Sequence, residues 1–179
     1  MPTKNIAELW TQEGGEPDTW SLREGMIYCS GKPDSFLRSK QIYRDFVFRA
    51  EWRFITEGWK GAPEVWPNAG FFINAQEVHD RWPRSLEVQG HYGEAGSLFG
   101  VRGGKVSGAR RGPIDENRIP FGEWESVEVR SEGGVVTVIL NGRKINEGRD
   151  LSPREGKLCL QAEGWPLYYR ALEIRELPR

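Results

Sequence analysis

From Phe46 the chain reads Phe-Val-Phe-Arg-Ala-Glu-Trp-Arg-Phe, nine residues in which every second position is apolar. A period of two belongs to a β-strand, whose successive side chains point to opposite faces of a sheet. Phe46, Phe48, Ala50, Trp52 and Phe54 therefore share one face, and Val47, Arg49, Glu51 and Arg53 share the other, so one face is core and the other largely polar. No stretch offers a comparable helix: 22 Gly and 11 Pro cut the 179 residues into short runs, and both punctuate turns. Strands are predicted over residues 19–22, 25–30, 36–39, 44–56, 69–74, 84–89, 124–131, 135–141, 143–147, 156–163 and 167–177. Gly133-Gly134 and Asn141-Gly142 tolerate the positive φ of tight hairpins, which makes 124–147 a three-stranded meander. That many strands imply two packed sheets, an all-β sandwich expected to occupy 1–179 as a single domain.

Twenty-five Lys and Arg stand against 26 Asp and Glu. This balance disfavours a binder of nucleic acid or of an anionic membrane, both of which need a basic surface. Cys29 and Cys159 are read as two buried hydrophobes, with one disulfide as the alternative. His79 and His91 have no thiol at zinc-site spacing, and His79 is read as a surface-loop residue. The opening Met-Pro-Thr-Lys-Asn has no apolar segment. A cytoplasmic location is expected if the chain is complete, and a periplasmic or secreted one if a signal has been trimmed.

Two further alternations carry chemistry. In Arg84-Ser-Leu-Glu-Val-Gln-Gly-His91, Leu86 and Val88 oppose Ser85, Glu87, Gln89 and His91. In Lys157-Leu-Cys-Leu-Gln-Ala-Glu163, Leu158, Leu160 and Ala162 oppose Cys159, Gln161 and Glu163. Each strand thus presents an amide and a carboxylate two residues apart. On neighbouring strands they would form a surface rich in donors and acceptors, flanked by Trp59, Trp66, Trp82 and Trp165, the composition of a sugar site. Any solvated sheet face also shows Glu and Gln at alternate positions. Arg102, Lys105, Arg110 and Arg111, in the Gly-rich stretch 100–112, are read as a solvated loop.

Trp20 with Glu24-Gly25, the run 46–54, Asn68-Ala-Gly-Phe-Phe, Ser85-Leu-Glu-Val-Gln, Gly122-Glu-Trp124, Leu140-Asn-Gly142 and Gly156-Lys-Leu-Cys-Leu-Gln-Ala-Glu-Gly164 occur in this order. Together they resemble the 3-keto-disaccharide hydrolase domain family over essentially the whole chain. The resemblance implies the concanavalin A-like fold, a jelly-roll sandwich with a sugar site on a concave sheet. It also implies a reaction on glycosides whose C3 hydroxyl has been oxidised to a ketone. The ketone acidifies the C2 proton; a base removes it, C1 expels the aglycone, and water adds back.

Carried over by position, Glu87 and Gln89 fall on the family's Glu-x-Gln strand and Asn68 on its Asn-Ser-Gly-like segment. Gln161 and Glu163 fall on its Gln-x-(His or Glu)-Gly segment, and Trp124 on Gly-Glu-Trp as a structural anchor. Two departures shape the expectation. The Glu-x-Asp-x-x-Glu strand of related β-glucanases is missing, which disfavours hydrolysis by two carboxylates on one strand. Glu163 stands where many relatives have His, which leaves Glu87 or His91 as the better base.

The expected site therefore has Glu87, His91 and Glu163 as catalytic groups, with Asn68, Gln89, Gln161, Trp66, Trp82 and Trp165 contacting a small saccharide or glycoside. Burial should raise the pKa of Glu87 and a protonated His91 should oppose that rise, leaving the ionised form available near neutrality. A non-catalytic carbohydrate-binding module is the alternative. A purely structural sandwich would bury Trp66, Trp82 and Trp165 in its core, and a protein-interaction sandwich would instead expose an edge or an apolar patch. No cofactor is expected; calcium would need a dense oxygen cluster, to which Asp115-Glu-Asn117 is the nearest approach.

Overall fold

The computed structural model describes residues 6–58, 66–114 and 118–178. A single helical turn, α1 (Ile6–Leu9), precedes fourteen strands among these residues. They are β1 (Trp10–Gly14), β2 (Trp20–Arg23), β3 (Met26–Cys29), β4 (Ser35–Ser39), β5 (Phe46–Phe54), β6 (Asn68–Ala75), β7 (Ser85–Gln89), β8 (Leu98–Val101), β9 (Lys105–Ser107), β10 (Glu125–Glu132), β11 (Val135–Leu140), β12 (Arg143–Ser152), β13 (Lys157–Glu163) and β14 (Leu167–Glu176). One sheet runs β1-β4-β13-β6-β7-β8 and the other β2-β3-β14-β5-β10-β11-β12-β9, with antiparallel pairing throughout. This is the expected all-β, concanavalin A-like jelly-roll sandwich. No helix among the described residues is long and apolar enough to cross a membrane.

The apolar face read from β5 is the centre of the core. Phe46, Phe48, Ala50, Trp52 and Phe54 are all buried, while Arg49, Glu51 and Arg53 point outward. From the opposing sheet, β6 contributes Ala69, Phe71 and Ile73. The Phe71 ring meets Phe48, Trp52 and Tyr169 edge-on, at centroid separations of 5.7, 5.4 and 5.8 Å. Such aromatic pairs add stabilisation beyond the area they remove from water. The meander forms as predicted: Gly133 and Gly134 turn β10 into β11, and Asn141 and Gly142 turn β11 into β12, all four with positive φ.

The sequence reading missed three strands. β1 buries only Trp10 and lies at a sheet edge on β4, so its polar residues follow no strand pattern. The stretch 100–112, expected to be loop, is in part strand: β8 and β9 form about a turn at Arg102-Gly103. Cys29 and Cys159 are buried and free, as read; burial pushes the Cys29 thiol up to about 12 and that of Cys159 higher still.

Phe71→Ala should remove the contact that joins the sheets and lower the unfolding free energy by about 3–5 kcal/mol. Urea denaturation reads this directly. A loss below about 1 kcal/mol would show that Phe71 is not a keystone of the core.

Candidate functional site

Because Ala69, Phe71 and Ile73 face inward, Asn68, Gly70 and Phe72 face out from the six-stranded sheet. The same logic turns Cys159, Gln161 and Glu163 of β13 and Ser85, Glu87 and Gln89 of β7 to that side, since Leu158, Leu160, Ala162, Leu86 and Val88 belong to the core. Register then sets the neighbours: Glu163 lies opposite Asn68, Gln161 opposite Gly70, Gly70 opposite Gln89, and Phe72 opposite Glu87. Gly70 is the gap in this pattern. The point its Cβ would occupy lies 2.8 Å from Glu87 Oε1 and 3.2 Å from Gln161 Oε1, so the two side chains lean over the glycine from either side.

The hydrogen bonds divide the polar groups into two kinds. Glu163 is bound up: Oε2 accepts from Asn68 Nδ2 at 2.8 Å and Gln161 Nε2 at 3.0 Å, and Oε1 lies 3.3 Å from Arg81 Nη2. Arg81 pairs with Asp34 as well. With both amide NH2 groups drawn to Glu163, the oxygens Asn68 Oδ1 and Gln161 Oε1 are buried without a partner. Among the described residues, no donor is bonded to the Glu87 carboxyl either. Buried polar atoms are normally satisfied, so two orphan acceptors beside a bare carboxyl suit a ligand bearing hydroxyl donors.

Burial also sets the electrostatics. Glu87 is pushed up to about 8, first by desolvation and then by the charge of Glu163, against the opposing pull of Arg111. The carboxyl is thus largely protonated at neutral pH, whereas the sequence suggested an ionised group. His91 does not supply the opposing charge. Desolvation moves its pKa down, with Arg118 acting in the same sense against Glu94 and Glu163. Its Nδ1 accepts from the Gly93 N–H at 3.1 Å, which places the proton of the neutral ring on Nε2. Arg111, read as part of a solvated loop, is the cation that acts on Glu87.

Glu87, Gln161, Glu163 and Asn68 are brought together. Gln89 sits beside them, but its oxygen accepts from the Gly90 and His91 N–H groups at 2.9 and 3.0 Å and so serves the turn after β7. Trp82 covers Phe36 and Phe72 in a small apolar cluster on this same outer face, with Arg81 over its ring. Trp66 packs on Tyr92 and Phe121, at the His91 end of the patch. Trp165 donates its indole N–H to the Ile55 carbonyl at 2.7 Å and packs against the main core, acting as a brace. All three are half-buried, neither core residues nor a bare platform. Trp59 and Asp115–Asn117 lie outside the described residues, among which no three His, Cys, Asp or Glu side chains gather as a metal site. A separate hollow lies on the eight-stranded sheet. Its charges are spent on one another, with Arg49 paired to Glu128 and Glu173, and Glu51 to Arg170.

A carboxyl whose folded pKa is raised contributes stability that is present below its unfolded value and is lost as pH rises through the folded one. For Glu87 that window runs from 4.5 to about 8. Glu87→Gln should therefore melt with the wild type near pH 4 and above it at about pH 9, as measured by calorimetry across pH. Parallel curves would mean that Glu87 is not buried and neutral.

Several solved structures share this architecture. A proposed glycosyl hydrolase from Parabacteroides distasonis superposes with a TM-score of 0.68 at 20% identity, covering 92% of this chain and 93% of its own. A carbohydrate-binding module from Bacillus subtilis gives 0.69 at 13% identity, covering 93% and 95%. A β-glucanase from Bacillus licheniformis gives 0.61 at 13% identity, covering 99% and 96%. At these identities the likeness is one of fold. No curated protein matches the sequence. The profile of the 3-keto-alpha-glucoside-1,2-lyase-like domain matches residues 3–175, nearly the whole chain, and the protein belongs to that family.

Proposed function

We propose that the protein cleaves a glycoside carrying a ketone at C3, with Glu87 moving the C2 proton. The observation that carries this reading is the state of Glu87: buried, without a donor, and held near pKa 8 above Gly70. A general base works best when its pKa lies near the operating pH, and burial without partners is the usual way a carboxyl reaches that range. Among the described residues nothing donates to this buried carboxyl, so no hydrogen bond to its charged form offsets the cost of burying it.

In the proposed reaction the Glu87 carboxylate takes the proton at C2, and the electron pair moves into the ring carbonyl as an enolate. The enolate returns its electrons, C1 releases the aglycone oxygen, and Glu87 gives that oxygen its proton. Water then adds across the C1–C2 double bond, so the net change is hydrolysis. Asn68 Oδ1 and Gln161 Oε1 accept from sugar hydroxyls. Glu163 is a positioning residue in this scheme, because its bonds to both amide NH2 groups fix which way the amide oxygens face. His91 and the half-buried Trp66 and Trp82 border the patch, and Trp82 offers a ring edge to the sugar or its aglycone.

A second reading has one observation in its favour. At neutral pH a protonated Glu87 beside two free amide oxygens is a hydrogen-bonding surface with no base, which is what a carbohydrate-binding module requires. Incubation with a 3-keto-glucoside and with the unoxidised glucoside separates the two. The enzyme should release aglycone from the ketone only, with kcat/KM rising with pH through about 8, because the ionised form is the base. Glu87→Gln should reduce turnover by roughly 10²-fold or more and leave binding little changed. Binding of both sugars without turnover of either, up to about pH 9, would select the module.

A further inference from the structure

Arg111 reaches the site from a segment that a remote strand holds in place. The Arg110 N–H donates to Asn146 Oδ1 at 2.9 Å, and the Arg110 carbonyl accepts from Asn146 Nδ2 at 2.8 Å and from the Leu98 N–H at 3.0 Å. On the other side, the Gly112 N–H donates to Ser97 Oγ at 3.0 Å. Asn146 is buried, and its amide also bonds the Gly96 carbonyl and the Glu147 N–H, so both its polar atoms are in use. Arg111 is thus fixed at both flanking residues. Its guanidinium carbon lies 4.5 Å from the Phe99 ring centroid, and Phe99 is the register partner of Glu87. Stacking on an aromatic face holds the planar guanidinium while leaving its N–H groups free to donate. Among the described residues Arg111 forms no ion pair. Among the described residues, a fixed arginine without an ion pair thus acts on a carboxyl that receives no donor, both of them neighbours of Phe99, with the orphan oxygen of Gln161 on the far side of Gly70.

We infer that Arg111 is the oxyanion-binding group of this site: seated on Phe99, it donates to the substrate oxygen that turns negative when Glu87 takes the neighbouring proton. The inference rests on the reaction proposed above. As the C2–H bond breaks, its proton passes to the Glu87 carboxylate and the electron pair displaces the carbonyl π pair onto the C3 oxygen. A donor already aimed at that oxygen stabilises the enolate without reorganising at the moment of reaction. The same cation favours the ionised base. Among the described residues, the charged and titratable groups around Glu87 are Glu163 on β13, backed by Arg81, then Arg111 beyond β8, His91 past the end of β7 and the buried Tyr169 of β14, whose hydroxyl donates to the Gln161 carbonyl. Gly70, Phe72 and Phe99 on the flanking strands carry no charge. The substrate class that fits is a sugar ring with a carbonyl next to the acidic C–H, its carbonyl directed to Arg111 and its hydroxyls to Asn68 and Gln161.

Arg111→Gln and Arg111→Lys test this in the full-length protein. Arg111 is exposed, so the fold should be unaffected, and an unchanged melting temperature verifies it. With a 3-keto-glucoside, Arg111→Gln should lower kcat about 10²-fold while KM changes less than about threefold, and Arg111→Lys should recover part of the loss. Turnover of Arg111→Gln within about threefold of the wild type overturns the assignment. A second readout needs no substrate: the Glu87 carboxyl titration, followed by carbon NMR, should move up by about half a unit or more in Arg111→Gln. If the wild type cleaves no 3-keto-glucoside, the reaction proposed above fails and the titration decides alone whether Arg111 governs charge at Glu87; an unmoved midpoint overturns it.

Discussion

Phe71 packs between Phe48, Trp52 and Tyr169, and that contact decides which way β6 faces. A strand shifted by one residue would turn every side chain to the other side of the sheet, so burying Phe71 also places Asn68, Gly70 and Phe72 outward. Antiparallel register carries the decision to the neighbours. Gln161 and Glu163 on one flank, and Glu87 and Gln89 on the other, meet β6 at the positions its core face leaves over. The polar patch is in this sense the reverse side of the hydrophobic core. Its one special requirement is a glycine at position 70, where any side chain would displace Glu87 and Gln161.

Within the patch, two carboxyl groups on the same face have opposite surroundings. Glu163 is met by Asn68, Gln161 and Arg81, and its neighbour Arg81 is shared with Asp34. Glu87 is buried between Phe72 and Phe99 and receives no hydrogen bond from any described residue. Desolvation without compensation favours the neutral acid, and the negative charge of Glu163 adds to that. The amides of Asn68 and Gln161 link the two: their NH2 ends satisfy one carboxylate while their oxygens border the other's space. A pair of groups whose environments diverge this way is the usual arrangement for dividing structural from chemical duty.

The sandwich, the meander and the polar faces of β7 and β13 were legible because they rest on period two and on turn residues, which are local. The meeting of Glu87, Gln161, Glu163 and Asn68 on one face followed once the strands were neighbours. What could not be read depends on partners remote in sequence. Arg111 owes its position to Asn146 on β12, in the other sheet. By residue type Trp165 belongs with the sugar platform, yet its indole N–H requires a carbonyl and finds that of Ile55, 110 residues away. His91 shares the Glu87 face by alternation, but the turn after β7 draws its Nδ1 to the Gly93 N–H. The stretch 100–112 reads as loop because of its glycines, of which Gly100 in β8 and Gly104 just before β9 stand where backbones approach closely.

The central claim is that the outer face of the six-stranded sheet, around Gly70, is where a sugar binds. A crystal structure of the Glu87→Gln protein with a 3-keto-glucoside tests it most directly. The account predicts the ring over Gly70, with C2 within about 3.5 Å of the carboxamide at position 87, hydroxyls on Asn68 Oδ1 and Gln161 Oε1, and the C3 oxygen facing Arg111. A sugar bound instead in the hollow about Arg49 and Glu128 on the eight-stranded sheet would contradict it.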